Sequence, residues 1–75
     1  MKELIEYIAK SIVNAPDQVV VTEETTDEMI TLKLHVADDD KGRVIGKQGR
    51  IVQAMRTLLR VKAAKGKVKA TLEII

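Results

Sequence analysis

The spacing of apolar residues changes from a helical period to strict alternation and back, and this change constrains the fold more than any other feature. Residues 2–13 carry one apolar stripe at helical spacing. The residue before a proline is pushed out of the helical region, so Pro16 predicts a helix that ends near Val13. Residues 18–26 and 29–36 are rich in Val, Ile, Leu and Thr, and the second segment alternates apolar and polar side chains. The first half therefore predicts a helix followed by two strands and a short turn between them.

The second half returns to helical spacing before it ends in another alternating segment. Residues 41–45 predict a short helical turn, and residues 50–64 a longer helix with Ile51, Ala54, Met55 and Leu58 along its core-facing stripe. A turn around Gly66 and a closing strand over residues 68–74 follow. The predicted order is helix, strand, strand, helix, helix, strand, in a single domain over residues 1–75.

The composition excludes several classes of function. There is no Cys, Phe or Trp, so disulfides, thiolate metal sites, nucleophilic thiols and aromatic platforms for stacked bases are ruled out. The one histidine, His35, falls on the exposed face of a strand, and Ser11 has no base paired with it in a recognisable arrangement. We therefore predict no enzyme activity, no cofactor and no metal site. The chain lacks a signal peptide and a membrane span, which predicts a cytoplasmic protein.

Charge is divided unevenly between the two halves of the chain. Residues 1–40 hold three basic side chains against ten acidic ones, whereas residues 41–75 hold ten basic ones against Glu73 alone. A basic region of this kind is typical of a protein that binds nucleic acid. The alternative is that the two halves neutralise each other in the folded molecule, and the charges themselves leave both open.

Three consecutive aspartates, Asp38 to Asp40, precede the short helix of the second half. Calcium loops need ligands at alternating positions with a glycine and a distal glutamate, and this segment does not provide them. We expect instead that one of the three aspartates caps the helix that follows.

The glycine-rich segment around Gly46 and Gly49 is the most informative part of the chain. It is not a nucleotide-hydrolysing loop, because only three residues separate Gly42 from Gly46, and Gln48 stands where the magnesium-binding hydroxyl is required. A dinucleotide-binding fingerprint is excluded too, since the Gly-x-Gly pair is absent.

What remains is a tight Gly-x-x-Gly turn between two helices. Two glycines let a sugar-phosphate chain approach the backbone, and the amides at the start of the longer helix favour an anion. Arg43, Lys47 and Arg50 add positive charge around the turn. These features predict a site that grips a phosphate backbone, whereas a plain structural corner would need no basic residue at its tip.

The segment from Val44 to Ile51, VIGKQGRI, resembles the VIGxxGxxI core of the KH domain. The element order is similar to the type II KH arrangement, and the whole chain resembles the small bacterial single-KH-domain proteins of the KhpA type. The resemblance implies an α+β fold, with a three-stranded sheet and three helices packed on one face. It also implies a non-catalytic RNA-binding protein, an RNA chaperone or post-transcriptional regulator, with links to cell elongation or division by analogy.

In this family the GXXG loop holds the backbone of about four nucleotides of single-stranded RNA. The resemblance therefore makes Gly46 to Gly49 the clamp, with a groove floor from Val44, Ile51 and the edge of the second strand around Leu34 to Val36, while Ile45 points into the core. The predicted RNA-binding residues are Arg43, Val44, Gly46, Lys47, Gln48, Gly49, Arg50 and Ile51. Gln48 is uncharged where many KH loops carry a basic residue, which predicts a slightly weaker clamp.

A second apolar face on the longer helix is formed by Val52, Leu59 and Ala63, with Val61 nearby. A helix that is apolar over so much of its circumference is either deeply buried or part of a protein interface. The resemblance implies self-association and pairing with a larger KH-containing partner, KhpB, and Val52, Leu59 and Ala63 are the candidate dimer interface. A monomer that uses this face internally is an equal alternative. The alternative function is a protein-interaction subunit that works mainly by dimerising with a larger KH-containing partner, but the intact GKQG turn with Arg43 and Arg50 favours RNA binding.

Overall fold

The computed structural model describes all 75 residues and has the predicted order of elements. The helices and strands are α1 (Lys2–Ile12), β1 (Val20–Thr26), β2 (Met29–His35), α2 (Lys41–Ile45), α3 (Arg50–Lys65) and β3 (Lys69–Ile74). Single 3-10 turns precede β1, α2 and α3 at Pro16–Gln18, Asp38–Asp40 and Lys47–Gly49. None of these helices combines the length and the hydropathy that a membrane-spanning segment requires. The predicted end of the first helix near Val13 is confirmed.

The strands form one mixed sheet in the order β1-β2-β3, with β1 antiparallel and β3 parallel to the central β2. Leu32 and Leu34 of β2 are fully buried, and the neighbouring Val21 and Leu72 face the same side. Side chains alternate along a strand, and the opposite face of the sheet is mainly polar, with Val20 and Met29 as exposed apolar exceptions. All three helices pack on the apolar face, and the α+β fold expected of a type II KH domain is confirmed.

The core-facing side of α3 differs from the prediction. Val52, Met55, Leu59 and Ala63 are buried, whereas Leu58 of the predicted stripe is half exposed. Both stripes have helical spacing and lie side by side, so the spacing itself does not decide which one faces the sheet. The prediction that Val52, Leu59 and Ala63 form a dimer interface is therefore wrong, because the chain uses them in its own interior.

Asp40 has a different role from the predicted helix cap. Its side chain makes no hydrogen bond to the first turn of α2. Instead, its carboxylate accepts hydrogen bonds from the backbone N–H groups of Asn14 and Ala15, both at 3.0 Å, and its Oδ1 lies 3.4 Å from Nε of Arg43. Asp40 is the one charged residue buried in the core, at 1% exposure. It thus ties the segment after α1 to the start of α2.

Candidate nucleic-acid interface

The turn between α2 and α3 is built from backbone conformations that favour glycine. Gly46 has φ 79° and ψ 171°, Gly49 has φ 73°, and Gln48 between them has φ 57°. The N–H of Gly49 donates to the carbonyl of Gly46 at 3.1 Å, and the N–H of Gly46 donates to the carbonyl of Gly42 at 2.9 Å. These bonds close the turn and bring its two central side chains, Lys47 and Gln48, to an exposed tip.

The two glycines of the turn serve different purposes. A Cβ atom on Gly46 would lie 2.6 Å from Cγ1 of Ile51, closer than real carbon atoms approach each other. A Cβ atom on Gly49 would meet nothing nearer than Cγ1 of Val52 at 4.0 Å. Gly46 therefore allows the turn to pack directly on Ile51 of α3, whereas Gly49 is required only by its backbone conformation.

Three basic side chains surround the turn, and each is placed differently. Lys47 is exposed at the tip. The Nη2 of Arg50 donates a hydrogen bond to Oε1 of Gln48 at 3.3 Å, which holds the guanidinium beside the tip. Arg43 is held through its Nε by Asp40 and remains half exposed. The amides of Gly49 and Arg50 already donate to carbonyls within the turn, so positive charge here comes from the side chains more than from these amides.

Val44 and Ile45 exchange the places that the sequence predicts for them. Val44, predicted to form the groove floor, is fully buried in the core, while Ile45, predicted to point into the core, is 39% exposed. Consecutive helical residues point about 100° apart, so only one of the two can face inward from the single turn of α2. Val44 is thus part of the core beneath the turn and is not accessible to a ligand.

The predicted groove beside Leu34 and Val36 is not present. Both side chains are fully buried, and β2 is the central strand, so it has no free edge. Which strand lies at the edge depends on the parallel crossover from β2 through two helices to β3, and local sequence patterns do not specify it.

A groove does lie between α3 and the free edge of β3. It has a volume of about 300 Å³ and is lined by Gln53, Arg56, Leu59 and Arg60 of α3 and by residues 70–72 of β3. The Nε and Nη2 of Arg56 both donate to the carbonyl of Leu72, at 3.3 and 3.2 Å. Sequence reasoning did not predict this groove, and it named neither Gln53 nor Thr71, which line it.

Most basic side chains of the second half form no ion pair with the acidic first half. Their ion pairs are confined to Lys41 with Asp38 and Arg43 with Asp40, both formed within three residues along the chain. The remaining basic side chains form no ion pair: Lys47, Arg50, Arg56, Arg60, Lys62, Lys65, Lys67 and Lys69. Of the two interpretations of the charge division, direct pairing between the halves accounts for only two of the ten basic side chains of the second half.

Comparison with known proteins agrees with this geometry. The chain matches the family "KhpA/KhpB, KH domain" over residues 2–74. It is 51% identical to the RNA-binding protein KhpA of Clostridium acetobutylicum, with both chains covered completely, and 52% identical to that of Listeria monocytogenes, covering 100% of this chain and 99% of the relative. The KhpA of Treponema pallidum is 46% identical over 99% of this chain and 92% of its own length. No solved structure matches at a significant level. The KH resemblance of the VIGKQGRI segment is thus confirmed, and the chain belongs to the KhpA/KhpB family of KH-domain proteins.

Proposed function

We propose that this protein binds single-stranded RNA without catalysing a reaction, and that the Gly46–Gly49 turn holds the sugar-phosphate backbone. The observation that carries the proposal is a set of unpaired basic side chains around an exposed glycine turn, next to a groove on a free strand edge. Similar proteins are named RNA-binding proteins rather than enzymes. Bacterial messenger RNA is cytoplasmic, so the proposal also places the protein in the cytoplasm, as an RNA chaperone or post-transcriptional regulator.

In this proposal phosphates and bases contact different parts of the surface. Lys47 and Arg50 bind phosphates at the turn, Arg43 adds charge beside it, and Ile51 packs under Gly46. Bases enter the groove between α3 and β3, where Gln53 and the edge of β3 offer hydrogen-bonding groups. The groove contains no aromatic ring, so base contacts are weak and sequence preference is loose. Affinity then depends mainly on phosphate contacts and falls steeply with salt.

The double substitution Lys47→Asp, Gln48→Asp tests the clamp. Losing one charge-assisted contact and adding two negative charges should weaken RNA binding by roughly 100-fold. Aspartate tolerates the left-handed backbone of Gln48, and both side chains are exposed, so circular dichroism should show an unchanged fold. Binding of a fluorescently labelled single-stranded RNA at two salt concentrations measures the effect.

The matched control is Lys2→Asp, Gln18→Asp, which changes the net charge equally at two exposed positions of the acidic half. This control should bind RNA nearly as well as the wild type. Equal losses in both variants would mean that only total charge matters, and unaltered binding in the turn variant would remove the Gly46–Gly49 turn as the site.

A second proposed role is pairing with another copy through the exposed side of α3. Leu58 and Val61 are 50% and 53% exposed, lie on one side of the helix, and point away from the groove residues. Adjacent apolar side chains at this spacing suit packing against a partner helix. A second copy would bring two clamps together and increase affinity for longer RNA through avidity. A KhpB-type partner, which the family name suggests, would use the same surface.

Replacing both residues, Leu58→Glu with Val61→Glu, should convert a dimer to a monomer in analytical ultracentrifugation. Two buried charges in the interface should raise the dimer dissociation constant by at least about tenfold. The control Ser11→Glu, Gln18→Glu adds the same charges at exposed positions and should leave the mass unchanged. A wild-type protein that stays monomeric alone but pairs with a KhpB-type protein would assign the surface to that partner. Dimerisation unaffected by the α3 variant would exclude the surface.

A further inference from the structure

A second cavity lies beyond the groove, where α3 ends and β3 begins, and we call it the distal pocket. It has a volume of about 300 Å³. Its apolar part is formed by Met29, Ala63, Ala64, Val68 and Ala70. The alanines give it a shallow wall of small side chains close to the backbone, which suits a flat ring more than a branched side chain.

The distal pocket continues the groove. Arg60, Ala70 and Thr71 line both cavities, so the two form one path along the free edge of β3. The path starts near the Gly46–Gly49 turn and follows α3, whose 16 residues span about 24 Å. A strand held at the turn can therefore reach the distal pocket by following the helix.

The charges around the distal pocket favour a nucleotide. Arg60 and Lys69 line it, and Lys65 and Lys67 flank it in the adjacent turn. None of these four forms an ion pair. The nearest acidic residue in the strand register is Glu28, and its contact with Lys69 is made by the backbone: the carbonyl of Glu28 accepts the N–H of Lys69 at 2.9 Å. An apolar pocket surrounded by basic side chains suits a nucleotide, because the base can enter the pocket while its phosphate contacts the basic side chains. An apolar side chain of a partner protein would not require these basic side chains.

We propose that the distal pocket takes one nucleobase of an RNA strand whose backbone is held at the Gly46–Gly49 turn. The inference rests on the proposed function and extends it, because it makes the binding site longer than the roughly four nucleotides that a GXXG loop holds. Arg60 and Lys69 neutralise the phosphate of the nucleotide in the pocket, and the base packs on Ala64 and Ala70.

The test measures the contribution of the bases to binding while the number of phosphates in the RNA probe stays constant. One RNA probe has eight adenosine nucleotides, and two others have four adenosines with four abasic nucleotides on the 5′ or the 3′ side, so all three carry the same backbone charge. We expect the wild type to bind the first probe about tenfold more tightly than the abasic probe whose abasic nucleotides lie at the distal pocket, the range that a single base contact supplies. The variant Ala64→Leu narrows the pocket and should bring this ratio close to one.

Ala54→Leu is the matched control, because Ala54 is also an exposed alanine on α3 but lines neither cavity. This variant should keep the wild-type ratio, and circular dichroism checks the fold of both variants. An equal ratio in all three proteins would overturn the inference while leaving the clamp in place. If no probe binds, the clamp fails and the inference fails with it. If Ala64→Leu alters only the oligomeric state, the pocket takes a protein side chain, and the inference is wrong.

Discussion

Gly46→Ala is expected to be far more destabilising than Gly49→Ala. At Gly46, φ 79° and ψ 171° lie in a region that is essentially limited to glycine, and the new Cβ would lie 2.6 Å from Ile51. Backbone strain and overpacking together should lower the free energy of unfolding by about 3 kcal/mol or more. For a chain of 75 residues, whose total stability is roughly 4–11 kcal/mol, this is a large part. Alanine in place of Gly49 has to adopt the left-handed backbone conformation but meets no steric overlap, so the substitution should cost only about 1 kcal/mol.

Urea unfolding of the two variants measures this difference, with Gly42→Ala as an internal control. Gly42 lies in α2 with nothing within 4 Å of an added Cβ. Alanine there should stabilise the protein by about 0.5–1 kcal/mol, because it favours the helix. Equal losses at Gly46 and Gly49 would show that contact with Ile51 does not decide the requirement for glycine.

Asp40→Ala is the second substitution with a large expected effect. It removes the acceptor for two backbone N–H groups, those of Asn14 and Ala15, in a site where Asp40 itself is 1% exposed. Hydrogen bonds to a charged group contribute about 1.5–3 kcal/mol each, so we expect a loss of about 3 kcal/mol or more. In a domain of this size that corresponds to a Tm lower by at least about 12 °C.

Two further variants show where the effect of Asp40 comes from. Asp40→Asn keeps the shape but leaves only one oxygen to accept, so its Tm should lie between those of the wild type and Asp40→Ala. Asp39→Ala removes an exposed carboxylate next to it and should change the free energy of unfolding by less than about 0.5 kcal/mol. A small loss in Asp40→Ala, similar to that of Asp39→Ala, would contradict the view that Asp40 connects α1 to α2.

The order of elements could be predicted because each element has a local cause. Alternation in β2, the proline after α1, and the glycines of the turn all act within a few residues of the structure they determine. The position of the turn between two helices followed from the same patterns. Local patterns were sufficient wherever the physical cause was local.

The remaining features depend on contacts between distant parts of the chain. Choosing between Val44 and Ile45 needs the position of α2 over the sheet, because both are β-branched and adjacent. Choosing the buried side of α3 needs the direction in which that helix crosses the strands. Asp40 bonds to residues about 25 positions earlier in the chain, at 3.0 Å, and nothing in the three consecutive aspartates indicates which one does so.

Charge is distributed unevenly across the sheet, because the basic side chains beside β3 form no ion pair while acidic side chains lie on β1, and this asymmetry amounts to a dipole. Glu23 and Glu24 lie on β1 at one edge, while Arg56 and Arg60 lie beside β3 at the other. In the field of a polyanion such a dipole experiences a torque that turns the β3 edge forward, at separations up to about the Debye length of 8 Å in physiological salt. For the RNA-binding mode proposed above, we expect this asymmetry to favour encounters in which the groove beside β3 faces the RNA strand.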